Sequence, residues 1–150
     1  MSKLNQQKIK YFGETIYKIC SELKIKKPLV VRPDRRLKKT SAEVLMYEEK
    51  KTKKRGYVIR YYPVAVSSFD RFETIYLILH ELGHIKTKQT GTNFEREYKA
   101  ERFAFKAIKK HYSWLLKSYW CYVNFYLDFK EKSVYKEVYK QIKRKFYDKK

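Results

Sequence analysis

An α+β fold is predicted for this chain: a small, mostly antiparallel three-stranded sheet packed on helices to one side, a helix carrying His80-Glu81-Leu82-Gly83-His84, a second helix headed by Glu97, and a C-terminal helical extension. Three observations predict it. Apolar residues recur at i, i+3 and i+4 through most of the chain, the period of helices with one buried face. Between residues 29 and 66 that period gives way to short runs that alternate or are β-branched. No internal repeat and no linker rich in Pro, Gly or Ser interrupts the 150 residues, so one domain is expected, with a core over about 1–110 and the extension over about 111–150.

Taken in order, Ile9, Phe12, Ile16, Ile19 and Leu23 form one stripe and predict an amphipathic helix over 3–23 that covers the sheet or the helix of His80. Lys24-Ile25-Lys26-Lys27-Pro28 ends it. Leu29-Val30-Val31 reads as a short strand closed by Pro33. Ala42 to Glu49 and Gly56 to Val66 are the other two strands, joined by a basic hairpin loop from Lys50 to Gly56. The last strand directly precedes the helix of His80, and it is the expected edge for pairing with an extended peptide. Asp70 with Glu73 reads as a capping box that opens a helix over about 70–87. Gly91 breaks the chain, and Thr92 with Glu95 caps the next helix over about 93–110. In the extension, Leu115, Tyr119, Tyr122, Tyr126 and Phe129 make one stripe, and Leu116, Trp120, Val123 and Leu127 make another. Such a helix is packed on both sides or meets a partner, and aromatics among lysines also suit stacking on single-stranded bases. Val134, Val138, Ile142 and Phe146 mark a last amphipathic helix with a basic outer face.

The chemistry concentrates at residues 80–84, which read H-E-x-x-H. On a helix, residues four apart leave the same face one turn apart, so both imidazoles reach one Zn²⁺. Glu81 is then placed as the general base toward a water. The apolar approach from Thr74 to Leu79 buries this helix, and Gly83 keeps one of its faces slim. A catalytic zinc takes three protein ligands and keeps a fourth position open. Glu97 is the best third ligand. It heads the stripe Glu97, Ala100, Ala104, Ala107 and Ile108, and a carboxylate that opens a buried face needs a partner. The small alanines let two helices approach closely. Glu101, one turn further on, is the alternative ligand, and Glu97 also reads simply as an acidic residue in a helix's first turn. His111 stands alone, either as an oxyanion stabiliser or as an ordinary surface or core histidine.

These residues resemble a known family. HELGH, a short loop and then Glu97-Tyr98-Lys99-Ala100-Glu101-Arg102-Phe103-Ala104, an E-x-x-A-x-x-F-A pattern, look like the ImmA/IrrE-type zinc metallopeptidases of mobile elements and stress responses. Arg71 to Leu79 is similar to the family's lead-in, and the resemblance covers residues 57–108. It implies His80, His84 and Glu97 as Zn²⁺ ligands, Glu81 as base, and a protein or peptide substrate such as a DNA-bound repressor or another regulator of a mobile element.

Charge is the second clue. The net charge is +21, with 18 Lys/Arg against 6 Asp/Glu in residues 1–60, 6 against 6 in 61–104, and 13 against 4 in 105–150. Basic flanks around a neutral segment attract polyanions, and nucleic acid is the default partner. The same flanks suit RNA or an acidic protein, and a lysine-rich composition also arises with no partner at all. Cys20 and Cys121, far apart and without a metal pattern, fit reduced thiols in a cytoplasmic protein. No apolar run approaches membrane length, so no membrane contact is expected. Beside a zinc endopeptidase stands a reading of another class: a basic nucleic-acid-binding or interaction protein whose zinc site is structural or vestigial.

Overall fold

A computed structural model describes residues 3–25, 29–37, 41–128 and 133–148. Among the described residues it is α+β, with six α-helices and one three-stranded sheet. The chain divides into two compact units, Met1–Glu81 and Leu82–Lys150.

In the first unit, helix α1 (Lys3–Glu22) buries Phe12, Ile16 and Ile19, the middle of its predicted stripe. The Phe12 ring meets Tyr61 at 4.9 Å and Phe69 at 6.5 Å between centroids, so α1 covers the sheet face that carries Tyr61. Cys20 shares this buried side of α1. Burial pushes its thiol up to about 11, which leaves little thiolate near neutral pH.

The strands are β1 (Leu29–Pro33), β2 (Ala42–Glu48) and β3 (Arg55–Tyr61), in the order β1-β3-β2. β2 and β3 form the expected antiparallel hairpin, with Ala42 opposite Tyr61 and Glu48 opposite Arg55. Its basic turn is closed by Lys53 N–H donating to Glu49 O at 2.9 Å and Glu49 N–H donating to Lys54 O at 2.8 Å. β1 runs parallel to β3, with Arg32 opposite Arg60.

Three expectations are corrected here. The sheet is mixed rather than mostly antiparallel, because alternation along a strand sets which face is buried and carries no information about which neighbour it pairs with, or in which direction. The strand expected over Gly56 to Val66 ends at Tyr61, and Pro63–Val66 forms a short helix, α2. Pro63 explains the change: it has no N–H for the ladder, and its fixed φ suits the first helical position it occupies. Finally, β3 is the central strand, paired on both sides, so it offers no edge to a peptide.

Helix α3 (Arg71–Lys86) is continuous and opens on the predicted capping box. Glu73 N–H donates to Asp70 Oδ1 at 2.7 Å, and Asp70 N–H donates back to Glu73 Oε1 at 3.4 Å.

In the second unit, α4 (Asn93–His111) is capped by Thr92, whose Oγ1 accepts from Glu95 N–H at 3.2 Å. A 3-10 turn at Ser113–Leu115 leads into α5 (Leu116–Leu127). α6 (Val134–Ile142) follows and ends in a π-helical turn at Lys143–Tyr147. In α5, Tyr119 and Val123 are buried, and Trp120, Tyr122 and Tyr126 are half-buried against neighbouring aromatics. Phe105 of α4 meets Tyr119, Trp120 and Phe146 at 5.5, 5.3 and 4.7 Å, and Tyr139 of α6 meets Tyr122 and Tyr126 at 5.9 and 4.8 Å. Trp114 and Phe125 stay exposed. Phe129, from the same predicted stripe, lies outside the described residues. Among the described residues no helix is long and apolar enough to cross a membrane.

Candidate metal centre

Periodicity places His80 and His84 on one face of α3. Phe72, Tyr76, His80 and His84 succeed one another at four-residue steps along that face. Phe72 stacks on Tyr76 at 5.6 Å, and Tyr76 lies 6.4 Å from the His80 ring. Tyr76 thus lies beside the buried His80 imidazole.

Glu97 lies in the first turns of α4. Its Oε2 is 3.3 Å from His84 Nε2. Ligand atoms of His80, His84 and Glu97 all lie within 4.8 Å of one another, and the three form a group that can hold a metal ion. The His84–Glu97 pair passes a simple test of fit. Two ligands about 2.0–2.1 Å from a tetrahedral ion are about 3.4 Å apart, and the His84–Glu97 separation is close to that edge.

Neighbouring groups orient His84. Its Nδ1 lies 2.6 Å from Gln89 Oε1. The Gln89 Nε2 donates to Thr87 Oγ1 at 3.0 Å, and the Thr87 hydroxyl donates to Gly83 O at 2.6 Å. With its amide nitrogen committed to Thr87, Gln89 presents an acceptor oxygen to the ring. Nδ1 therefore carries the proton, and the Nε2 lone pair points to the cluster. Sequence reasoning missed Thr87 and Gln89. The only signal was their position in the polar run directly after the helix. It also missed Lys99, whose Nζ donates to Lys88 O at 3.0 Å and Thr90 O at 3.4 Å, and Arg96, which donates to Gly91 O at 2.9 Å. Both tie the α3–α4 loop to α4. Gly91 sits in that loop at φ +96, a conformation L side chains rarely adopt. Replacing Gln89 by Ala should weaken metal binding about 10–100-fold while leaving the ligands in place; an unchanged titration of metal into the variant would remove its orienting role.

The slim face at Gly83 has the use anticipated for it. A Cβ built there would lie 2.6 Å from Ala100 O and 2.8 Å from Ala100 Cα, both backbone atoms of α4. Ala100 and Ala104 are fully buried on the facing stripe. This close approach brings Glu97, three residues before Ala100, toward His84. Gly83→Ala must push the helices apart. It should cost about 1–3 kcal/mol of stability and loosen metal binding together with it. A thermal melt and a metal titration check both, and a variant as stable as the wild type would contradict the contact.

Glu101 is not part of the cluster. It is 0% exposed and accepts a hydrogen bond from the Tyr119 hydroxyl of α5 at 2.7 Å. Burial first, and then the Glu101 charge, hold the Tyr119 phenol well above its ordinary range, so it stays a donor. Of two carboxylates one turn apart on α4, Glu97 faces the histidines and Glu101 anchors α5. Tyr119→Phe should destabilise the protein by about 1.5–3 kcal/mol, as befits a lost hydrogen bond to a charged group, and should leave metal affinity unchanged. A fall in affinity matching the fall in stability would mean that Glu101 supports the cluster. Glu81, one residue beyond His80, is buried and outside the three clustered ligands. His111 is exposed at the far end of α4, about 21 Å of helix rise beyond Glu97. That distance excludes it as an oxyanion stabiliser of this cluster.

No protein-family model, no curated protein and no solved structure matches this chain.

Proposed function

We propose that this chain is a zinc-dependent endopeptidase, with His80, His84 and Glu97 as zinc ligands and Glu81 as general base. The observation that carries the reading is the three-ligand cluster of two imidazole nitrogens and one carboxylate oxygen, with a fourth acidic residue, Glu81, adjacent in sequence and buried. Two His and one Glu is a donor set of hydrolytic zinc sites. A structural site would close its coordination with a fourth side chain, whereas among the described residues the cluster numbers three. This favours hydrolysis over the structural reading.

When bound, zinc supplies Lewis acidity toward the scissile carbonyl and makes a nearby water more acidic. Glu81 takes the proton of the attacking water and delivers it to the leaving amine. His84 is held in the ligating tautomer by Gln89, and His80 is buried beside Tyr76. The likeness of residues 80–84 and 97–104 to ImmA/IrrE-type peptidases suggests a cytoplasmic protein substrate, a DNA-bound repressor or another regulator of a mobile element. Protein loaded with zinc should cleave members of a fluorogenic peptide pool, lose that cleavage to a chelator and regain it with added zinc. Stoichiometric zinc without any chelator-sensitive cleavage would favour the structural reading instead.

A further inference from the structure

The first unit carries a second cluster, built on different residues. A cleft at one end of the sheet is lined by Arg32, Pro33, Asp34, Arg35, Arg36 and Arg60. The chain has nine arginines and 28 lysines, so four cations drawn at random would include about one arginine. All four in this cleft are arginines. A lysine-rich surface explains the basic flanks of the chain but not this selection. Guanidinium differs from ammonium in presenting a planar fork that grips an oxyanion through two parallel hydrogen bonds.

The cleft is also organised. Arg32 of β1 and Glu43 of β2 are the register partners of Arg60 on the central strand, so all three project from the same sheet face. Arg60 donates to Glu43 through Nη2 and to Asp34 Oδ2 through Nη1 at 3.1 Å. Asp34 Oδ1 also accepts from Arg36 N–H at 2.9 Å and Arg36 Nε at 3.2 Å. The Arg36 backbone N–H, and after it the Arg36 side chain, hold the Asp34 carboxyl below its ordinary range, so it remains an ionised pivot. Two carboxylates thus face four guanidiniums. Among the described residues, Arg32 and Arg35 enter none of these ion pairs and are exposed.

We propose that Arg32 and Arg35, set beside Arg36 and Arg60 that Asp34 and Glu43 hold in place, grip phosphate in this cleft and take the phosphodiester backbone of a nucleic acid. The shape of the basic surface argues for a polymer. Lys50, Lys51, Lys53 and Lys54 are exposed in the hairpin turn at the opposite end of β3. Five residues of strand from Arg55 to Arg60 span about 17 Å, the axial length of about five phosphates of one strand. A free phosphate fills only the cleft, whereas a polyanion reaches both ends. Sequence tolerance follows, because phosphates position a chain and carry no base information. The cleft shares no residue with the metal cluster and does not depend on the peptidase reading.

The test is a titration of labelled single-stranded and duplex oligonucleotides by fluorescence anisotropy. Wild-type affinity should fall steeply between about 50 and 200 mM salt. Arg32→Lys/Arg35→Lys keeps every charge and should still bind about tenfold or more weakly, because it removes the forks. Lys51→Gln/Lys54→Gln should instead flatten the salt slope by about two. The Arg→Lys variant should retain any chelator-sensitive peptide cleavage, which separates failure of this site from failure of the metal centre. Equal affinity of wild type and the Arg→Lys variant overturns the cleft. If inorganic phosphate binds and the variant weakens it while oligonucleotides do not bind at low salt, the anion site stands and the nucleic-acid source is overturned. Binding of polyglutamate in place of either overturns the proposal.

Discussion

Glu81→Gln should retain zinc and lose peptide hydrolysis by about two to four orders of magnitude, the usual contribution of a positioned general base. Glutamine keeps the shape and much of the hydrogen bonding of glutamate, but it cannot accept a proton at working pH. Glu81 is not one of the three clustered ligands, so metal content should stay at the wild-type level. The variant therefore separates two roles that most substitutions here confound. Metal analysis and the peptide-pool assay on the same preparation read both. A variant that kept wild-type cleavage would remove Glu81 from the reaction, and one that lost its metal would make Glu81 a ligand.

The double variant His80→Ala/His84→Ala should lose zinc altogether. It leaves Glu97 as the sole remaining donor of the cluster, and one carboxylate competes poorly with water for the ion. The effect on stability should be smaller than the effect on metal. His84 is only partly buried, and losing it costs the contact with Gln89, while the buried His80 leaves a cavity beside Tyr76. Binding is measured by competition with a chromophoric chelator, and folding by far-UV circular dichroism. Undiminished zinc in a folded double variant would place the site elsewhere on the chain. Bound zinc adds its binding free energy to the folded state, so the wild type should melt higher with zinc than without, and the double variant should not.

What sequence alone could reach here is whatever local periodicity encodes. The stripe Phe12, Ile16 and Ile19, the reciprocal Asp70–Glu73 cap and the Thr92 cap all depend on residues within a turn or two of one another, and each is found where local rules put it. His80 and His84 follow from the same logic, since four-residue spacing brings side chains to one face whatever else the protein does. The small residues at 83, 100 and 104 signalled a close helix pair, because only a missing or short side chain admits a second backbone.

Tertiary structure decided everything that depends on partners distant in sequence. Glu97 and Glu101 share a face of α4 and cannot be told apart by period. Tyr119, eighteen residues further on, claims Glu101, and the turn at Gly91 delivers Glu97 to His84. The strand neighbours were equally hidden. Alternation sets the buried face of β3, but pairing with β1 on one side and β2 on the other makes it central and denies it a free edge. The arginine cleft arises from that same pairing, since only the β1–β3 register sets Arg32 beside Arg60, with Asp34 between Arg60 and Arg36. A pattern confined to one element specifies which way its side chains face; which side chains they meet is settled when the elements pack.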